Sequence, residues 1–475
     1  MVDSNGAARA LVPLLRAHGL DGSALISSGR PLLRTRFAAA DAAAAALAAT
    51  GVAAASILRD RTNAAPTVQV NRRLAEASLL SFAMQHFEDP ARAPEQRLAP
   101  EQRTPVAGFH ASRDGRIVYL HAGFPHNTRG LLELLEVPPD REAVVAAVAR
   151  RDARDLEDAI ATAGLCGAML RTADEWDASE PGIELAAHPV VEIVQIGDGA
   201  PVPFPSHGER PLDGVRVLDL TRVLAGPTCA RTLAMYGADV LHISAPELPS
   251  IPLFVTDTGI GKRAAFVDLK TTEGRQTLYE LSAQTDVFSQ GYRTGALERL
   301  GLGVADLVSR KGGVVYVSIN CYGHEGSWRT RPGWEQLAQT VTGIAHAHGI
   351  DLHGREDRPE LQPAAVTDYT TGYLAAFGTL VALLRRAQVG GSYWVRVSLA
   401  RTGMWVRSLG RADELPEATV LSDDELLAMR TRVDTAWGPL HHLRPAVTLS
   451  GVAVDWRMPP VPLGSHPPAF TGVAR

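Results

Sequence analysis

The chain is poor in cysteine. Three thiols in 475 residues, Cys166, Cys229 and Cys321, stand far apart, with no CxxC and no Cys/His pairing. That spacing excludes a disulfide framework and a zinc finger, offers no metal site, and fits a reducing, cytoplasmic setting. Positive charge is not in excess either: the formal net charge is −5, which argues against broad nucleic-acid binding. Neither GxGxxG nor GxxxxGK[ST] occurs, so no dinucleotide fingerprint and no P-loop is written in the chain. The N-terminal "MVDSNGAARALVPLLRAHGL" carries acid and Arg early and lacks the continuous apolar core of a signal peptide. One stretch imitates a membrane span, "FAAADAAAAALAATGVAAASIL" (37–58). It is nearly all alanine, which transfers weakly into lipid, and it is broken by Asp41 and Gly51. A tightly packed helix of a globular protein is the expectation, with no membrane partner.

What is present is an ordinary globular composition, 45% hydrophobic and 21% charged, long enough for two or three domains. Two turn-rich breaks, 87–108 and 197–214, divide it. Residues 1–103 read as an Ala-rich helical part and 104–204 as a small α+β domain opening on the strand "GRIVYLHAG" (115–123). In 205–475, apolar runs ("VRVLDL", "DVLHI", "AAFVDL", "DVFSQG", "VVYVSIN", "YWVRVSLA") alternate with helical segments. Near-continuous apolar strands alternating with helices predict an α/β fold with a Rossmann-like, doubly wound parallel sheet. Ligands of such sheets sit beyond the carboxyl ends of the strands, here at "TRVLAGPT", "SQGYRTG" and "CYGHEGSW".

Several stretches can carry chemistry. In "VRVLDLTRVLAGPTCARTLAMYGADVLHIS" (215–244) a strand ends, a Gly-Pro turn follows and a helix begins, an arrangement that suits an anion but equally a plain turn needing Gly226. "DTGIGKRAAFVDLK" sets Lys262 and Arg263 at a glycine turn, where two cations suit phosphates or simply form a surface basic pair. "SQGYRTGALERLGLG" gathers Tyr292, Arg293 and Arg299 at another strand end. In "LQPAAVTDYTTGYLAAFGTLVALLRRA" Asp368 precedes a long apolar helix. On that stretch alone it is either an N-cap or a catalytic acid.

The order and spacing of these pieces, with "VVYVSINCYGHEGSWRTRPGWEQLAQTVTGIA" between them, resemble the family III CoA transferases over about 211–400. "LEDAIATAGLCGAMLRTADEW" followed by "HPVVEI" resembles that family's small domain. The resemblance implies that Asp368 is the nucleophile, attacking an acyl-CoA thioester to give an acyl-aspartyl anhydride and then an enzyme–CoA thioester. It implies that Arg222, Val223, Leu224 and Ala225 line the CoA site, that Lys262 approaches the phosphates with Arg263 and His242 as weaker candidates, and that Tyr292 and Arg299 meet the pantetheine or nucleotide portion. Glu335 either polarises substrate or is structural. CoA is a substrate here, with no tightly bound cofactor, and the partners are an acyl-CoA and an acceptor acid. Members form interlocked homodimers, so a homodimer is expected. Trp334 stands where the racemase branch has a His. That favours transfer, while His324, His346 and His348 keep acyl-CoA racemase or isomerase chemistry as the alternative, beside a catalytically silent CoA-binding subunit.

Three departures stand out. The small-domain-like region precedes the recognisable core, and 1–103 faintly resembles a degenerate copy of the core's opening strand and helix. No glycine-rich lid is evident. The segment from His242 to Gly261 is short.

Overall fold

The computed structural model describes residues 5–94, 104–206 and 208–471; residues 95–103 of the Pro/Arg/Glu linker expected at 87–108 lie outside them. The Ala-rich stretch is a helix, α1 (Ala39–Thr62), set between two short parallel strands, β1 (Ala24–Ile26) and β2 (Val68–Val70). It is long and apolar enough to cross a membrane, yet almost all of it is buried inside the protein. Alanine and glycine side chains let neighbouring backbone come close: a Cβ on Gly51 would stand 2.6 Å from a Val68 methyl.

The small unit is a three-stranded antiparallel sheet of β3 (Gly108–Ala111), β4 (Ile117–Leu120) and β5 (Gly167–Met169), backed by helices that include α2 (Pro125–Leu135). Val118, Leu131, Val144 and Ile160 form its own apolar core.

The predicted strands assemble into one large sheet. It comprises β6 (Glu192–Gly197), β7 (Arg216–Asp219), β8 (Asp239–Ser244), β9 (Lys262–Phe266), β10 (Val287–Gln290), β11 (Val315–Asn320) and β12 (Ser392–Ser398), ordered β9-β8-β7-β10-β11-β12-β6. All neighbours run parallel except β6, which pairs antiparallel with β12. β6 belongs to this sheet although its residues fall in the stretch assigned to the small domain. Its half-buried, mixed side chains suit an edge strand and carry no signal separating the two units. The order reverses at β7, so the crevice beyond the carboxyl ends of β7 and β10 is the topological switch point.

Helix α3 (Ala225–Met235) follows β7, and α6 (Val366–Gln388) crosses the same face. Before α6 come α4 (Glu335–Val341) and α5 (Ile344–His353). α1 lies along α6, and both contribute to one continuous apolar core. Thr50 on α1 and Tyr236 after α3 share a buried hydroxyl–hydroxyl bond of 2.9 Å. The last strand, β13 (Val447–Leu449), returns to pair with β2. The elements β1, α1 and β2 and the returning strand β13 are thus built into one body with the sheet.

Candidate active site

The turn after β7 is clamped from below. Asp219 is fully buried and accepts from the Thr221 amide at 3.0 Å and its hydroxyl at 2.5 Å. Lys262 donates to Asp219 at 2.8 Å and to the Pro227 carbonyl at 2.8 Å, tying β9 to the start of α3. Burial opposes ionisation of Asp219, but the Lys262 ammonium and His242, 3.5 Å away, hold its carboxyl below the ordinary range. Within this clamp Val223 takes a positive φ of 70°, unusual for a β-branched residue and a form of backbone strain that gathers at functional sites. Gly226 is required beneath it, since a Cβ there would stand 2.3 Å from that of Thr221.

This corrects the reading of the basic pair. Lys262 is 3% exposed and its ammonium is bonded inward, so it fixes the turn and is no free cation for phosphate. Arg263 bonds Asp239 at 2.6 Å and the Ala469 carbonyl, fastening the C-terminal segment to the sheet edge. A glycine turn with two cations looks the same in sequence whether they face solvent or a buried acid. Arg299 sits exposed on a short 3-10 turn, Glu298–Leu300, and lines no part of the cleft.

The cleft lies over the switch point, between the sheet and the small unit. Arg222, Val223, Leu224, Ala225 and Tyr292 line it as expected from their strand ends, and Asp368 borders it too. Arg222 lies over the Phe124 ring at 5.6 Å. Arg293, Arg329 and Arg331 add positive charge to the wall; Arg293 also bonds the Gly164 carbonyl of the small unit at 2.8 Å, and Arg331 pairs with Asp158 at 2.8 Å. Arg293 was legible beside Tyr292, and Arg329 and Arg331 in "SWRTRPGW". Phe124, His126 and Asn127 were not, because only the tertiary fold brings α2 across.

Asp368 is the third residue of α6, and the N-cap position is held by Ala365. The local expectation of an aspartate cap is therefore replaced. The acid that meets the helix end is Glu335, the first residue of α4. It accepts from the Thr367 amide at 3.0 Å, the Thr367 hydroxyl at 2.5 Å, the Asp368 amide at 2.5 Å and the Gln339 side chain at 2.6 Å. Among the described residues no donor bonds the Asp368 carboxyl. Burial raises both acids; in Glu335 the hydrogen bonds counter it, and in Asp368 the neighbouring Glu335 charge adds to it. Asp368 is thus the member that holds the proton, well above the usual carboxylate range. Glu335 takes the first-turn amides of α6 that would otherwise favour an ionised Asp368.

Asp368 borders a second hollow on its other side, a chamber of about 870 Å³ reached by Glu335, Trp334, Phe82 and Phe254. Trp334 stacks on His121 with centroids 5.3 Å apart and planes at 12°. His121 is fully buried and held neutral, its pKa pushed down to about 3 by burial. Of the histidines near Trp334 in sequence, His348 borders the chamber. His324 lies in a separate hollow, bonded to Ser318 at 2.8 Å.

Comparison with known proteins identifies the family. The family model described as CoA-transferase family III matches residues 18–201 and 212–425. The acetyl-coenzyme A transferase nodX of Hypoxylon pulicicidum is 31% identical over 350 residues, 68% of this chain and 58% of that protein. The succinyl-CoA–L-malate CoA-transferase beta subunit of Chloroflexus aurantiacus is 34% identical over 203 residues, 40% of this chain and 49% of its own. The chain therefore spans about half the length of these relatives. A crystal structure of a CAIB/BAIF family protein from Brucella suis aligns at 26% identity and a TM-score of 0.38, over 49% of this chain and 65% of that one. With the family model covering most of its length, on both sides of the 201–212 break, the chain belongs to CoA-transferase family III.

Proposed function

We propose that this chain transfers CoA from an acyl-CoA thioester to a carboxylic acid, with Asp368 as the nucleophile. The ionised Asp368 attacks the thioester carbonyl, the CoA thiolate leaves, and an acyl-aspartyl anhydride remains. The thiolate attacks the aspartyl carbonyl, releasing the first acid and leaving CoA on Asp368. An acceptor carboxylate then repeats the two exchanges in reverse order. Each step is a carbonyl substitution with a good leaving group, the usual advantage of covalent catalysis. First-turn amides of α3, free of intrahelical partners, are suited to the developing oxyanions. Glu335 positions the head of α6 and sets the charge beside Asp368.

The observation that carries this reading is that Asp368 borders both hollows at once. One is a cleft with Arg222, Arg293, Arg329 and Arg331 in its wall, suited to a polyanionic carrier; the other is a chamber suited to an acyl group. The test is Asp368→Ala. Incubation with acyl-CoA and hydroxylamine should leave a trapped modification at Asp368 in the native chain. The variant should lose CoA exchange by about a thousandfold or more with its circular dichroism unchanged. Retained exchange in the folded variant removes the nucleophile.

A second reading has one observation in its favour, since the imidazoles of His121 and His348 border the chamber with Asp368. Proton exchange at the acyl α-carbon would then occur, read as deuterium wash-in without CoA exchange. The same proposal takes residues 1–103 as a degenerate half of the large domain and 104–204 as the small domain. The cytoplasmic homodimer implied by the resemblance belongs to the same proposal, and light scattering reads its mass.

A further inference from the structure

Resting on the transferase reading, we propose that the chamber beside Asp368 seats the acyl group and selects acids with a bulky hydrocarbon body that carries a second, oxygen-based polar group. Size is the first argument. A cavity of about 150 Å³ accommodates benzene, whereas this chamber offers about 870 Å³. A one- or two-carbon acid would leave most of it unfilled.

The wall supplies the second argument. Leu80, Phe82, Ile251 and Phe254 make an apolar face, with the Phe82 and Phe254 rings edge-to-face at 5.0 Å. Beside that face stand two buried polar atoms without hydrogen-bond partners, Nδ1 of His348 and Oε1 of Gln362. Their residues are 1% and 6% exposed. Buried polar groups are normally paired, and an unpaired one is costly. Gln362 is not free to turn: its amide nitrogen bonds Thr35 at 3.1 Å and its backbone N–H bonds Gln339 at 2.8 Å. A hydroxyl on the acyl group can donate to Oε1 of Gln362 or pair with Nδ1 of His348, which a plain hydrocarbon chain cannot do; an ionised carboxylate, an acceptor only, does not serve Oε1.

Charge at the rim distinguishes the two oxygen groups. Arg34 borders the chamber and is exposed; of the acids that border it, Glu360 is 3.5 Å from His353, and Glu335 and Asp368 stand at the head of α6. A distal carboxylate therefore gains a cation that a hydroxyl does not use. Arg34, Leu80 and Phe82 belong to the first family-matched stretch and Asp368 to the second. The acyl wall is thus shared: Arg34, Leu80 and Phe82 come from the half that lacks Asp368, and Phe254, His348 and Gln362 from the half that carries it.

The test uses the full-length chain and five CoA esters: acetyl, hexanoyl, cyclohexanecarbonyl, 6-hydroxyhexanoyl and adipoyl. Acylation of Asp368 is trapped with hydroxylamine and expressed as kcat/KM. The hexanoyl and cyclohexanecarbonyl esters should exceed acetyl by about tenfold or more, and the two oxygenated esters should exceed hexanoyl by about tenfold. Gln362→Leu should narrow the gap between the 6-hydroxyhexanoyl and hexanoyl esters to about threefold or less. Arg34→Gln, at an exposed position, should lower the adipoyl ester selectively. Acylation in which acetyl is preferred, or in which hexanoyl equals its oxygenated counterparts, overturns this inference and leaves the transferase reading standing. No acylation of Asp368 by any ester overturns both.

Discussion

At the head of α6 two carboxyl groups meet, and only Glu335 is supplied with donors. The consequence is chemical. A protonated Asp368 is not a nucleophile, so acylation should rise with pH as Asp368 loses its proton, on a limb above the ordinary carboxylate range. Burial is the larger cause of that shift and the Glu335 charge the second. Glu335→Gln removes the charge while keeping an oxygen acceptor for the Thr367 and Asp368 amides. The limb should move to lower pH without disappearing, as measured by the pH profile of single-turnover acylation. An unmoved limb would mean that Glu335 does not act on Asp368 electrostatically. The sign for stability is opposite. Because the folded pKa of Asp368 is raised, its stabilising contribution is complete below the unfolded value and is lost as pH rises through the folded one. Catalytic ionisation therefore works against the fold. That pair could not be read from sequence: the contact spans 33 positions, and a Glu before an apolar helix looks structural. Lys262 misled for the same reason, its partner Asp219 lying 43 residues away.

Elements were more legible than side-chain partners. Six apolar runs predicted six parallel strands, because a strand buried on both faces needs continuous apolar residues whatever its neighbours. Strand ends then pointed to the Arg222–Ala225 turn and to Tyr292. β6 went unassigned to the sheet, since an edge strand with one antiparallel neighbour needs no such run. The backbone of the β7–α3 turn was likewise invisible, and it leads to a prediction at this scale. A left-handed conformation costs an ordinary residue roughly 1–2 kcal/mol. Glycine relieves that cost but loses about 0.5–1 kcal/mol to chain entropy. Val223→Gly should therefore change unfolding free energy by less than about 1 kcal/mol. The clamp of Asp219 and Lys262 would still hold the ends of the turn, but its middle would loosen, and KM for acyl-CoA should increase severalfold. A large stability loss with unchanged KM would show that Val223 serves packing alone.

For the molecule as a whole, what matters is that the two family-matched stretches share one interior. β1–α1–β2 has the parallel strand–helix–strand form of β7–α3–β8, yet its strands are only three residues long and its helix lies against α6. The buried Tyr369 hydroxyl binds Asp257 at 2.7 Å and accepts the Phe82 amide at 3.1 Å. Asp257 in turn holds Arg231 on α3 at 2.7 Å. This network links the first half directly to Tyr369, the residue after Asp368. Separating the halves would expose the faces of α1 and α6, leave the Asp257–Arg231 pair without Ser81 and leave the Tyr369 hydroxyl without the Phe82 amide. Burial of that apolar surface is the dominant favourable term in folding. Residues 208–475 produced alone should therefore fail to give a cooperative urea transition and should aggregate. Co-expression with 1–206 should recover a 1:1 complex that acylates at Asp368. A soluble 208–475 fragment that unfolds cooperatively and acylates at the rate of the full chain would show that the first half is an appendage, and the chamber wall at Phe82 would lose its claim on substrate choice.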